Sequence, residues 1–367
     1  MDGAVAGRKP GRTAGGALTP ARAAIEQGEV RRVLVIRAAR VGDTLHVRPA
    51  LELLRSALPE AQLTFLCSDY AAAAARGAAV DDVVPYPHKG RGPRAILARR
   101  QVEARLRKSG AFDLGLGLED KPWGRRLAHR LQCRWWHAES TAGTHVVERK
   151  AGVLVPLGLW DGEAPPPHVS WSATNAALAH ADGFLAGLPE PRVGLQVGSH
   201  ATRGWRAPRR RREPAEERLV ALGAAVAEST GGSLVVHGGQ GGEERRAARA
   251  VASALRQRLG TERVALLDKL VLDELGAVLA RLDCFVSANT GPAHLAAATG
   301  TPVVVLEGPS TSATRPWCPP ERVRVINLGL ECSPCRGSAH GKSCLVPRCL
   351  DDVPEARVAD AVAELLV

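Results

Sequence analysis

The sequence predicts an α/β protein built from two doubly wound, parallel-sheet domains that face each other across a cleft. Three observations carry this expectation. Short apolar runs of strand length alternate with longer amphipathic stretches, the pattern of repeated βαβ units. The chain has 367 residues, more than one ordinary core organises. A composition break at residues 157–167, ending in DGEAPPP, reads as a linker. The expected division is a disordered leader over 1–30, a first domain over 31–170, a second over 171–350, and a closing helix over 351–367.

The elements follow in order. RRVLVIRA, LTFLC, VDDVVPYP and FDLGLGL read as the strands of the first domain. Helices are expected over HVRPALELLRSAL and 93–108, with Pro49 in a first turn or at a kink. The second half restarts with PRVGLQVGS and continues through SLVVHGG, RVALLD, LDCFVSA, PVVVLEG and RVRVINL. Helices are expected over 213–229, 243–258, 272–281 and 353–366. Residues 1–30 are rich in Gly, Ala and Arg and lack a signal-peptide core. No apolar run approaches the ~20 residues of a membrane span.

The most informative segment is SANTGPAHLAAATGTPVVVLEGPS, Ser287–Ser310. It reads as strand end, glycine turn, short helix and strand. A helix starting near Gly291 with Pro292 in its first turn presents free N–H groups and a positive dipole end, which suits a diphosphate. The turn lies at the carboxyl end of a strand, where open α/β sheets bind ligands.

This segment resembles the C-terminal signature of the bacterial heptosyltransferases, glycosyltransferase family 9. Thr290, Gly291, Pro292, His294, Ala296, Ala298, Gly300 and Pro302 match its spacing. Asn289 stands where an acid is usual, and Glu307 where the family has Phe. The resemblance spans about residues 31–366. It implies a GT-B fold with two Rossmann-like domains and sugar transfer from a nucleotide donor, ADP-heptose above all, to a lipopolysaccharide core or other lipid-linked acceptor.

Asp43 follows Gly42 at the end of the first strand. An Asp there is either a helix cap or a general base. IRAARVGDTLHVRPAL resembles the family's N-terminal motif, which implies that Asp43 is the catalytic base. Arg40 and His46 flank it and are expected on the acceptor side. The loop after the fifth strand, GSHATRGW, resembles a motif in which a Lys meets donor phosphate. Arg203 occupies that position, and the backbone at Ser199 is expected to assist. Glu243 or Glu244 is expected to reach the nucleotide, with Glu243 the first choice. His294 is expected either as a buried, hydrogen-bonded residue or on the donor phosphate or sugar. Asn289, Thr290 and Gly291 complete the expected donor site. Asn289 can donate and accept but carries no charge, so heptose specificity is open.

Two other readings stand beside transfer. An NAD-dependent oxidoreductase needs G-x-G-x-x-G after the first strand, where the chain has RAARVGD. A non-catalytic glycan- or nucleotide-binding relative, or a transferase using another hexose, fits the departures at Arg203 and Asn289.

The chain holds eight cysteines. Cys332, Cys335, Cys344 and Cys349 cluster in a loop over 332–349, compatible with structural zinc, an iron–sulfur site, a disulfide or free thiols. No metal is expected in the transfer step. The net charge of +11 implies a solvated basic surface or attraction to an anionic membrane or glycolipid. Arg206 and Arg209–Arg212 form its densest cluster. The absence of interleaved aromatics and of a nucleic-acid motif argues against nucleic acid. The expected location is cytoplasmic, peripheral at the inner face of the inner membrane.

Overall fold

The computed structural model describes residues 15–90, 92–118, 121–138, 140, 143–198, 214–239, 241–268, 270–335 and 338–367. Two parallel sheets form two domains. In the first, β1 (Arg32–Arg37), β2 (Gln62–Ser68), β3 (Asp82–Tyr86), β4 (Leu114–Gly117) and β5 (Trp135–His137) take the order β3-β2-β1-β4-β5. In the second, β6 (Arg192–Val197), β7 (Ser233–Gly238), β8 (Val264–Leu267), β9 (Cys284–Ala288), β10 (Val303–Leu306) and β11 (Val323–Ile326) take the order β11-β10-β9-β6-β7-β8. The strand order reverses between β1 and β4 in one sheet and between β9 and β6 in the other. Each reversal opens a crevice at the strands' carboxyl ends.

The central strands are near-continuous apolar runs because helices cover both faces. Beneath the first sheet lie α1 (Gly15–Glu26) and α3 (Arg48–Ala57), with α4 (Pro93–Lys108) and α5 (Pro122–Arg130) on the opposite face and α6 (Val146–Ala151) against α3; the short α2 (Val41–Leu45) packs toward the second domain. The second sheet is sandwiched between two groups. One is α7 (Asn175–Leu185), α10 (Leu272–Leu279) and α11 (Gly291–Ala298). The other is α8 (Glu216–Thr230), α9 (Gly242–Leu259) and the terminal α14 (Glu355–Leu365). Short helices α12 (Ala339–Ser343) and α13 (Arg348–Asp351) shape the cysteine loop.

The domains share an apolar cluster: Leu45, Ala74 and Val147 of the first pack with Trp171, Leu275, Ala293 and Leu295 of the second. At its edge Arg76 lies over the Trp171 ring and pairs with Asp273, while Trp171 Nε1 donates to Ala73 O at 3.2 Å.

Two expectations change. Within the leader, α1 forms from Gly15, and Ala21, Ala24 and Val30 are buried in the first core. The stretch between β1 and the expected helix forms a further short helix, α2, while the expected helix itself is α3, with Pro49 in its first turn. Of the alternatives for the cysteines, no disulfide forms.

Candidate active site

The first wall of the cleft grows from the end of β1. The chain leaves the sheet after Arg37, and Arg40 takes the extended N-cap position of α2. Asp43 therefore stands at the third helical position, and its Oδ1 accepts a hydrogen bond from Arg37 Nη2 at 3.1 Å. It does not cap the helix, because its side chain points back to the strand end. The Asp43 carboxylate is 37% exposed, and Arg37 only 11%. Arg37 also lies within electrostatic reach of Lys150, which is 4% exposed and whose Nζ has no hydrogen-bond partner among the described residues. Burial pushes the Lys150 ammonium down to about 7; Arg37 adds to this and Asp43 opposes it.

The second wall grows from the end of β9. Asn289 Nδ2 donates to Thr314 Oγ1 at 3.3 Å, and the Thr290 hydroxyl lies 3.0 Å from that of Ser287. Thr290 is the N-cap residue of α11, with Gly291 and Pro292 opening the helix. Glycines take further places on this wall. Gly198, at φ +90°, lies where a Cβ would come within 3.0 Å of Glu244. Gly239 and Gly241 follow β7, and Glu244 Oε2 accepts from the Gly241 N–H at 3.1 Å. At the ends of β6 and β7, Gln196 and His237 are register partners on the wall. Burial lowers His237 to about 4, so its imidazole is neutral.

The two walls meet at a close approach of α2 and α11. A Cβ on Gly42 would sit 2.6 Å from the His294 ring. His46, one turn on, stands edge-on to His294 with ring centroids 4.5 Å apart, and 5.7 Å from His145. His145 Nε2 lies 3.0 Å from Arg315 O and its ring is 4.6 Å from Trp317. Burial holds His46 well below the usual histidine range, and His294, Lys150 and His145 add to this. Arg315 is fixed in turn by the buried Glu307, whose oxygens take its Nε and Nη2 at 2.8 and 2.7 Å and Asn327 Nδ2 at 3.0 Å.

Above this floor opens a cavity of about 1010 Å³, bounded by both domains. Arg40, Asp43, His46, Asn289, Thr290, Gly291 and His294 all border it. His46, expected on the acceptor side, borders the cavity, is 3% exposed and packs among histidines where the two domains meet. Glu244 borders the cavity and Glu243 does not; neighbours in a first helical turn point in different directions. Ser199, Arg203, Arg206 and Arg209–Arg212 lie outside the described residues. Sequence reasoning missed Lys150, His145 and the Glu307–Arg315 pair. A Lys inside the run VVERKAGVLV was the available signal for the first.

Of the four clustered cysteines, Cys349 sits behind the cavity wall: a Cβ on Gly308 would come 2.7 Å from its Sγ. Burial, then Cys335, Cys332 and Cys344, raise the Cys349 thiol to about 11. Among the described residues no group of three or more His, Cys, Asp or Glu is arranged to hold a metal ion.

Two parallel-sheet domains, a carboxylate on one wall and a helix N-terminus on the other define the class of two-domain group-transfer enzymes that work between facing sheets. A profile of glycosyltransferase family 9 (heptosyltransferase) matches residues 123–345. The chain belongs to that family and is a glycosyltransferase. No curated protein matches it. Among solved structures it resembles a family 9 glycosyl transferase from Veillonella parvula DSM 2008 (TM-score 0.72, 19% identity, covering 92% of this chain and 97% of that one). It also resembles E. coli ADP-heptose LPS heptosyltransferase II (0.69, 17%, 91% and 98%) and E. coli heptosyltransferase WaaC with ADP-2-deoxy-2-fluoro heptose (0.59, 21%, 81% and 93%). These likenesses establish the shared GT-B fold.

Proposed function

We propose that the protein is an inverting, metal-independent transferase that moves a heptose from ADP-heptose to a hydroxyl of a lipopolysaccharide core or another lipid-linked acceptor. The observation that carries this reading is the placement of Asp43. It is held by Arg37 on one wall of the cavity, while the N-terminus of α11 stands on the other. Asp43 takes the acceptor hydroxyl proton as that oxygen forms its bond to the anomeric carbon from the face opposite the leaving group. The bond to the phosphate oxygen breaks, and ADP departs with the electron pair. The α11 N-terminus, the backbone at Ser199 and the Arg203 guanidinium are assigned to the diphosphate. Asn289 and Glu244 are assigned to the donor sugar and nucleotide, and Arg40 to the acceptor.

The ADP-heptose assignment draws on the solved WaaC complexes, named for ADP and for a fluorinated ADP-heptose. An acceptor embedded in the inner leaflet makes the enzyme cytoplasmic and peripheral at the membrane. No helix of the described residues is long and apolar enough to cross it. The cysteine loop has no step in transfer. Elemental analysis of the purified protein decides whether the loop binds zinc or iron.

The test is turnover with ADP-heptose and with ADP-, GDP- and UDP-hexoses, with donor binding followed by calorimetry. Turnover by the native protein and binding without turnover by Asp43→Asn are expected. Donor binding without turnover by the native protein would instead identify a non-catalytic relative. Preference for a hexose donor would move the specificity to the Asn289 departure.

A further inference from the structure

The first domain carries a charged face that sugar transfer does not use. Residues 89–134 hold thirteen Lys and Arg against four Asp and Glu, most of the chain's net charge of +11. Helices α4 and α5 supply this face, lying side by side over the core of Leu34, Ile36, Leu106 and Leu127. Arg94, Arg100, Arg105, Arg107, Arg125 and Arg126 are exposed and form no ion pair among the described residues. Some exposed arginines elsewhere are matched, as in Arg258–Glu228, Arg281–Asp182 and Arg324–Glu364, and the unmatched ones are not gathered on two neighbouring helices. The one acid on the two helices, Glu103, is turned inward. It accepts from the Tyr86 hydroxyl at 2.7 Å and from Arg130 at 2.9 Å. The outer surface of these two helices is therefore cationic without interspersed acids.

An apolar tip completes the face. Ile96 and Leu97, in the opening turns of α4, are 40% and 57% exposed. The helix starts after the carboxyl end of β3, so this tip lies at the cavity end of the domain. Lys89 and Tyr70 border the cavity, with the Lys89 ammonium 4.5 Å from the Tyr70 ring centre. Arg99 Nη1 donates to Pro87 O and Gly90 O at 3.2 and 3.0 Å, tying the Lys89 loop to α4. Helix tip and cavity rim are thereby joined.

We propose that the α4–α5 face docks on an anionic phospholipid bilayer, with Ile96 and Leu97 entering the headgroup layer and the cavity rim at Lys89 brought to the membrane surface. A run of unpaired cations beside exposed aliphatic side chains is the pattern of interfacial helices, in which charge attracts and apolar burial holds. The purpose of the docking rests on the lipid-linked acceptor assigned above.

Full-length protein is tested by flotation with phosphatidylcholine vesicles and with vesicles containing phosphatidylglycerol. Binding to the anionic vesicles alone is expected, weakening with salt. Two double variants, I96D with L97D and R94E with R100E, are each expected to lose about tenfold or more in apparent affinity. Their unfolding temperatures should stay native, which separates lost docking from lost folding. Equal binding by either folded variant, or equal binding to neutral vesicles, overturns the proposal. Tighter binding of a single-stranded RNA oligomer than of the anionic vesicles overturns it too. The readout needs no turnover, so failure of docking leaves the transferase reading standing, and failure of turnover leaves docking measurable.

Discussion

The two walls of the cavity are built from opposite materials. The wall from the first domain is ionic: Arg37, Arg40, Asp43 and Lys89 border or support it, with Lys150 buried behind. The wall from the second is mostly uncharged: Gly198, Gly239, Gly241, Asn289, Thr290 and Gly291 present backbone and amide groups, the His237 imidazole is neutral, and the acid there, Glu244, accepts from the Gly241 N–H. The difference teaches a division of labour. A proton is moved on the ionic wall, where charge can be held or released. A ligand that brings its own negative charge is met on the neutral wall, where N–H groups approach closely because no Cβ is in the way.

The sharpest way to break the comparison is to remove the one carboxylate of the ionic wall. Asp43→Asn should lower kcat by about 10²–10⁴-fold with donor affinity unchanged by calorimetry; a parallel loss of donor affinity would assign Asp43 to binding. Joining the walls wrongly should come next. Gly42→Ala forces a Cβ to 2.6 Å from the His294 ring and should cost roughly 1–3 kcal/mol of stability, read by urea unfolding, with a loss of turnover as α2 and α11 separate.

Lys150 sharpens the ionic side through pH. Its pKa is about 7 when folded, against ~10.4 in an unfolded chain. Between those values the unfolded state binds the extra proton, so stability rises with pH across that window and is flat in this respect below about 7. Lys150→Met should raise stability at neutral pH by roughly 1–4 kcal/mol and remove that slope, with chemical unfolding at several pH values as the measurement. His46 acts at the acid end. Its folded pKa lies well below the usual value, so stability is lost as pH falls below ~6.5; His46→Gln should flatten that limb.

On the neutral wall the expected effect is smallest. Asn289→Asp restores the acid usual in the family and should change the KM for the donor by about three- to tenfold, worth ~0.6–1.4 kcal/mol, with kcat nearly unchanged in steady-state assays.

Most of the fold was legible because buried parallel strands are apolar runs bounded by turns, and LDCFVSA, PVVVLEG and RVLVIR look like nothing else. β5 was missed because it has three residues, two of them Trp, too few to show a period. Asp43 and the Asn289–Gly291 turn were readable because both end a strand and carry a motif. The histidine contact was not. His46, His145 and His294 are far apart in sequence, and only the docking of two domains brings their rings together. Lys150 was hidden for a related reason: a Lys in a helix reads as surface until α3 and the sheet cover it. Glu243 was preferred over Glu244 because spacing cannot resolve which of two adjacent side chains faces a cavity.

Glu307 stands where the family usually has Phe, and here it grips Arg315 and Asn327. Arg315 hands its carbonyl to His145 across the domain boundary. An acid so enclosed is tolerable only with its cation, and the cation is fixed in place only by the acid. Positions 307 and 315 therefore act as a unit. In relatives of this chain an acid at the first should travel with an arginine at the second, and an aromatic at the first should release the second to vary.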